Sequence, residues 1–224
     1  MYSLLIYFHK LFYGTNNKHS YKNNNFLLFL ICNVGYRACE YFHYLYLLVF
    51  KFLGIYPKPL TSRNGIIVSL TSFPKRIGTV WMVVDSMFHQ KKRPDKVCLY
   101  LTKEEFPQGK ASLPKRLLGY EKLGLEIKFV DVNLKPHNKY FYALQEFKDS
   151  FVITIDDDMY YHDNLVSNLW NIHLKHPNCV CSNTIDVVKF DDNYDFLPYE
   201  QWVRPYEEIT PSFLNLALGY DGVL

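Results

Sequence analysis

From residue 60 onward, short apolar runs alternate with amphipathic stretches. Ile66 to Leu70 (IIVSL) is an apolar run that predicts a first strand. The polar loop after it, Thr71 to Arg76, carries two hydroxyls and two cations. Thr79 can then cap a helix in which Val80, Val83, Val84, Met87 and Phe88 recur at i, i+3, i+4, i+7 and i+8, one apolar face toward a sheet. Val97 to Leu101 (VCLYL) predicts a second strand, and a short helix is expected after Pro114. Leu125 to Val130 (LEIKFV) alternates apolar with charged residues, as a strand nearer an edge does, and Asp131 stands at its carboxyl end. A helix near Asn138 to Phe147 would place Tyr140, Ala143, Leu144 and Phe147 on one face. Phe151 to Ile155 reads as a strand buried on both faces of a parallel sheet. Asp163 can cap a helix whose inward stripe is Leu165, Leu169 and Ile172, and Cys179 to Asp186 is expected to resume a strand. Strand, polar loop and helix in repetition predict an α/β fold with a mostly parallel sheet and flanking helices.

The fourth apolar run ends in Asp156, Asp157 and Asp158. Three adjacent carboxylates repel one another, and a core strand has no use for them unless a cation or a set of donors gathers there. Open α/β sheets bind their ligands at the carboxyl ends of the strands, where these acids fall. Side chains alternate in an extended segment, so Asp156 and Asp158 are expected to point one way and share a divalent ion, with Asp157 turned elsewhere. Arg76 sits at the matching end of the first strand. Lys139 opens a helix, where a cation opposes the dipole and gains little locally. Beside bound phosphates the same Lys and the helix N–H groups make an anion site. His173 and His176, three apart, and the C-x-C of Cys179 and Cys181 are read as structural. From Lys189 to Pro211 the chain turns acidic and aromatic, which suits stacking and hydroxyl contacts to a sugar or, alternatively, a loop-rich subdomain that packs its own rings.

At 224 residues, with 49% hydrophobic and 21% charged positions, the chain can bury one sizeable core. Its net charge of +3 hides an asymmetry: Met1 to Leu60 holds six Lys/Arg against one Glu, a local +5, which leaves −2 for the remainder. Any basic attraction therefore belongs to the N-terminal segment, and the net-negative remainder argues against a nucleic-acid partner. That segment, residues 1–60, also carries 16 of the 39 aromatic residues. Its longest uncharged run, Asn23 to Tyr36, is 14 residues, short of the ~18–20 that cross a bilayer as a helix. No small-residue cleavage site follows a basic start, so no signal peptide is expected. Apolar patches within residues 26–53 suit a helical extension lying on a membrane surface; a helix packed on the main domain and a true span are the competing readings. Gly54, Pro57 and Pro59 punctuate the chain before the core begins. Five cysteines in no zinc or disulfide framework point to buried thiols in a reducing, cytoplasmic compartment; the membrane-surface reading of residues 26–53 would place the chain peripherally on the inner face of the cell membrane.

Together, the T-S-F-P-K-R loop, the Lys139 helix and V-I-T-I-D-D-D-M-Y-Y resemble the GT-A-fold glycosyltransferases, in particular bacterial enzymes of surface-polysaccharide synthesis. The resemblance covers about Ile66 to Leu224. It implies a Rossmann-like nucleotide-sugar-binding domain over 61–188 and the start of an acceptor-side subdomain over 189–224, following the extension over 1–60. In such enzymes the first loop holds the nucleotide base, and the D-x-D acids hold ribose and the metal on the diphosphate. Carried over, that assigns Thr71, Ser72 and Arg76 to the nucleotide, Lys139 to the donor, and Asp156 and Asp158 to ribose and to Mn2+ or Mg2+. Asp131 and Asp157 are counted with the donor-binding residues, and Asp158 and Lys139 are expected to act in catalysis. The implied reaction moves a sugar from a nucleoside-diphosphate sugar to a hydroxyl of a glycan or glycolipid acceptor, with Glu200, Asp186 or Asp221 as base. LNLALGYDGVL resembles a glycine-rich acceptor-side segment after which the family chain continues, so the subdomain is expected to be incomplete. The alternatives are a non-catalytic sugar-nucleotide-binding protein and a phosphoryl-transfer enzyme, although the latter wants its acids on the first strand.

Overall fold

The computed structural model describes residues 57–205, 209–218 and 222–223, together with the helical positions Val34, Ala38, Tyr41, Phe42, Leu45 and Val49. The chain divides into two units, Met1–Lys58 and Pro59–Leu224. The rest of the expected N-terminal extension, with Cys32 and Cys39, lies outside the described residues. Among the described residues no helix is long and apolar enough to cross a membrane.

Within the second unit the chain runs β1 (Ile66–Thr71), α1 (Val80–Phe88), β2 (Lys96–Thr102), α2 (Lys115–Leu118), β3 (Leu125–Val130), α3 (Asn138–Glu146), β4 (Phe151–Thr154) and α4 (Leu165–Lys175). Two short strands follow, β5 (Ile185–Val187) and β6 (Asn215–Ala217). β1 to β4 form one parallel sheet in the order β3-β2-β1-β4, so the fold is α/β, with a four-stranded parallel sheet flanked by helices. β1, in the middle, is apolar on both sides because both sides are covered. Ile67 joins Cys98, Tyr100, Val152 and Ala143 of α3 in one cluster, while Ile66, Val68 and Leu70 are fully buried on alternate positions and serve the other face.

α1 buries all five residues of its expected stripe and also Trp81, Asp85 and Ser86, because a second layer covers its outer side. The Arg116 guanidinium of α2 lies 4.3 Å from the Trp81 ring centroid, and Tyr120 donates its hydroxyl to Asp85 Oδ1 at 2.6 Å. α3 turns differently from the expectation. Tyr140 and Leu144 are exposed, and the inward side is Ala143 with the partly buried Tyr142 and Phe147. Lys139 shares that inward side, its backbone carbonyl accepting the Ser69 hydroxyl of β1.

Cys179 to Asp186 does not continue the main sheet. Only Ile185–Val187 forms a strand, antiparallel to β6 in a separate two-stranded sheet. The Ser182 hydroxyl lies within hydrogen-bond reach of the carbonyls of Thr184, Leu218 and Gly222, a local turn that competes with a ladder. Val223 bridges Thr154 on one side and Ser182 on the other, which ties this second region to the edge of β4. Cys98 and Cys181 are buried and Cys179 is partly so, all as free thiols; burial pushes the Cys98 thiol up to about 12.

Candidate functional site at the β1–β4 crevice

The strand order places the site. From β1 the chain moves outward through β2 to β3, then α3 carries it back across to β4 on the other side of β1. The winding reverses between β1 and β4, and the crevice outside their carboxyl ends is where open α/β sheets take ligands. The loop after β1 and the segment after β4 meet there and together line a cavity of about 630 Å3. Thr71, Ser72 and Arg76 line it from one side, Asp156, Asp157 and Asp158 from the other, and Lys139 from α3.

Each acid is paired with a cation, two of them with the same one. Lys139 Nζ is 2.5 Å from Asp156 Oδ1, with the lysine side chain only 12% exposed. One terminal nitrogen of Arg76 lies 2.8 Å from both Asp157 Oδ1 and Asp158 Oδ2. Ser72 donates to Asp157 Oδ2 at 2.6 Å, so the buried Asp157 accepts on both oxygens. Asp157 is therefore not turned away from the site. β4 ends at Thr154 and the chain bends at Asp157 and Asp158, so the side-chain alternation of a strand stops before the triplet. Burial raises the Asp158 carboxyl above the usual aspartate value; the Arg76 charge opposes that, while Asp157 and Asp156 add to it. Burial alone would lower Arg76, but the hydrogen bond it donates to Asp157 and the charges of all three acids raise it.

Buried aromatics hold the triplet in place. The backbone N–H of Asp156 donates to the Tyr161 hydroxyl at 2.8 Å, and Tyr161 is almost fully buried. The Tyr160 hydroxyl reaches the Met82 sulfur on α1 at 3.0 Å. Gln90, just past α1, donates to the His162 carbonyl and accepts the Val166 N–H, closing the segment from behind. On the opposite wall Thr71 donates to the Tyr100 carbonyl of β2 at 2.7 Å, fixing the start of the first loop.

Other expected site residues do not come to this cavity. Asp131 does not line it; its exposed carboxylate pairs with Lys103 at 2.7 Å. Glu200 is exposed on a short 3-10 turn, and Asp221 lies outside the described residues. Asp186 is buried; the bidentate Arg204, aided by the Tyr199 hydroxyl at 2.6 Å, holds it below the usual carboxylate range. The aromatic stretch packs partly on itself, as Phe190 against Phe196 and Tyr199 against Trp202. Conversely Phe73, Glu105, Asn133, Lys135 and Asn138 line the cavity without having been singled out. Asn138 is the one that left a local signal: its side chain accepts the Leu134 N–H, as an Asn four residues after a turn can, and Lys135 between them has φ 58°.

Carboxylate oxygens without thiolate or imidazole are the donor set of a hard divalent cation. Among the described residues no three His, Cys, Asp or Glu side chains converge on one point. Asp156 and Asp158 could thus contribute one or two ligands, the rest coming from phosphate oxygens and water, as Mg2+ sites commonly arrange. His173 packs against Phe151 and Trp170.

What fold and site define together is an α/β protein with acids and cations paired beside a switch-point cavity. No protein-family model and no curated protein matches the chain.

Proposed function

We propose that the chain is a glycosyltransferase of GT-A type, moving a sugar from a nucleoside-diphosphate sugar to a hydroxyl of a glycan or glycolipid. The observation that carries this reading is the opposition of Arg76 and Lys139 to three carboxylates at the β1–β4 switch point. A diphosphate offers the two cations a better partner than the acids, and the acids then become available to a metal. The bond from the anomeric carbon to the diphosphate oxygen breaks with its electron pair leaving on the phosphate, while the acceptor oxygen bonds to that carbon. Arg76 and Lys139 stabilise the charge that grows on the leaving oxygen. When bound on Asp156 and Asp158, Mn2+ or Mg2+ supplies Lewis-acid stabilisation of the same charge. In an inverting reaction a carboxylate takes the acceptor proton. Asp186, held below the usual carboxylate range by Arg204 and Tyr199, is a poor base, and neither it nor Glu200 lines the cavity, so the base is not assigned among the described residues.

The test is release of nucleoside diphosphate from UDP- and GDP-sugars with Mn2+, in the wild type and in Asp158→Ala and Lys139→Ala. Loss of about 100-fold or more in either variant is expected. Turnover undiminished by Asp158→Ala would remove the metal role. Because every acid is already satisfied by a donor, a binding protein without turnover is the second reading; calorimetry showing donor and metal binding with no released diphosphate supports it.

A further inference from the structure

The residues that line the β1–β4 cavity divide by strand. Asp156, Asp157 and Asp158 stand at the β4 end, whereas Glu105, Asn133 and Lys135 come from the loops after β2 and β3, toward the other edge of the sheet. Lys135 is held there against its backbone preference. Its φ is 58°, and Pro136 follows it, although a residue before proline ordinarily takes extended backbone. Two side-chain bonds impose the turn. Asn133 Oδ1 accepts the Lys135 N–H at 3.0 Å, and Oδ1 of the buried Asn138 accepts the Leu134 N–H at 2.9 Å. Backbone strain of this kind persists where the surroundings over-determine it, and it gathers at ligand sites. Glu105 is placed as firmly. The hydroxyl of buried Thr102 donates to Glu105 Oε2 at 3.0 Å, and buried Phe106 closes the turn through its N–H to the Thr102 carbonyl at 3.0 Å. Glu105 Oε1 is 3.9 Å from Lys135 Nζ, an ion pair too long for a hydrogen bond, so both groups keep bonding capacity for a ligand.

We propose that Glu105 and Lys135 read the base of the bound nucleotide and select guanine. The inference rests on the nucleoside-diphosphate reading above: with the diphosphate held beside the triplet, Arg76 and Lys139, the nucleoside extends away from β4, toward the loops after β2 and β3. Hydrogen-bonding pattern decides among the bases. Guanine presents one acceptor, O6, beside two adjacent donors, N1–H and N2–H, along a single edge. A carboxylate takes both donors, one on each oxygen, while the neighbouring ammonium donates to O6. Glu105 Oε2 can do so and keep the Thr102 hydroxyl, because a carboxylate oxygen has a second lone pair. Uracil presents one N–H between two carbonyls, and cytosine and adenine each present one amino group beside a bare ring nitrogen. Each of those bases offers the carboxylate a single donor, and a site built for two rejects the ligand that lacks one.

The experiment is calorimetric titration of the full chain with GDP, UDP, ADP and CDP in the presence of Mn2+. GDP is expected to bind about tenfold or more tightly than each of the other three. Glu105→Gln keeps one acceptor oxygen and loses the other, so it should bring GDP to within about threefold of UDP while UDP affinity itself changes by less than that. Lys135→Gly should weaken GDP about fivefold or more without lowering the melting temperature, since glycine takes the same φ without a Cβ. Lys135→Arg should retain GDP binding. The proposal is overturned if the wild type binds any of the other three as tightly as GDP, or if Glu105→Gln keeps the preference. A wild type that prefers UDP removes the guanine assignment and leaves the sugar-nucleotide reading standing; one that binds none of the four removes both.

Discussion

Arg76 spends one terminal nitrogen on two carboxylates, and that sharing makes Asp157 and Asp158 unequal. Asp157 is buried and satisfied on both oxygens, so its work is to aim Arg76 and Ser72 at the cavity. Asp158 is 42% exposed on its side chain, its carboxyl raised by burial and by its acidic neighbours against the opposing Arg76 charge, and it is within reach of a ligand. Asp157→Asn should therefore cost about 1.5–3 kcal/mol in urea unfolding, because charge-assisted bonds are lost inside. Asp131→Asn, at an exposed pair with Lys103, should cost about 1 kcal/mol or less and leave donor binding untouched. A second consequence follows from the exchange of partners. Manganese alone must displace Arg76 and Lys139 from the acids, whereas manganese with a nucleoside diphosphate gives those cations somewhere to go. Calorimetric titration should show the diphosphate tightening manganese binding about 5–150-fold, with the coupling reduced in Arg76→Ala and Lys139→Ala; equal manganese affinity with and without diphosphate refutes the exchange.

At the scale of elements, β4 is only four residues long, and its outer edge depends on a residue far along the chain. Thr154 and Val223 exchange backbone bonds at 2.8 and 3.1 Å, one residue after Gly222 at φ +85°. A Cβ there would sit 2.9 Å from Leu165 Cδ1 of α4, so Gly222→Ala meets both a disfavoured backbone and a crowded neighbour. It should cost about 1–3 kcal/mol and loosen the strand that carries the acids, read as faster amide exchange at Thr154. The end of α1 carries a pH-dependent brace. His89 Nδ1 lies 3.2 Å from buried Asp85 Oδ2, and although burial lowers its value, Asp85 raises it net above 6.5. A raised folded value means the brace is fully present below pH 6.5 and is lost as pH rises through the folded value. Unfolding followed from pH 6 upward should show that loss of stability, and His89→Gln should flatten the slope.

The parallel strands were legible because a strand buried on both faces writes a continuous apolar run, as Ile66–Leu70 and Val97–Leu101 do. Ser72, Arg76 and the acids were legible because strand ends lie beside them in sequence, whereas Glu105, Asn133 and Lys135 come from loops after β2 and β3 that only the sheet order brings together. The inward side of α3 was misread because Lys139 counts as polar in a pattern although its stem is covered. β5 was misplaced because its partner is β6, some 30 positions on, and no local pattern names a distant partner. Across the whole molecule the charge is divided, +5 before residue 60 and −2 after it. The unit that holds the cavity thus gives an anionic donor no long-range attraction, and capture rests on Arg76, Lys139 and a divalent ion acting at short range. Donor affinity should accordingly depend steeply on the metal. With donor at about 100 times its Kd, binding to the folded state adds about 2.7 kcal/mol, and about 2–4 °C per kcal/mol converts this to a rise in Tm of about 5–11 °C. A UDP- or GDP-sugar with Mn2+ should produce that rise, the sugar nucleotide with chelator should produce little, and Asp158→Ala should produce none; a melting point that no nucleoside-diphosphate sugar moves would leave the cavity without the ligand assigned to it.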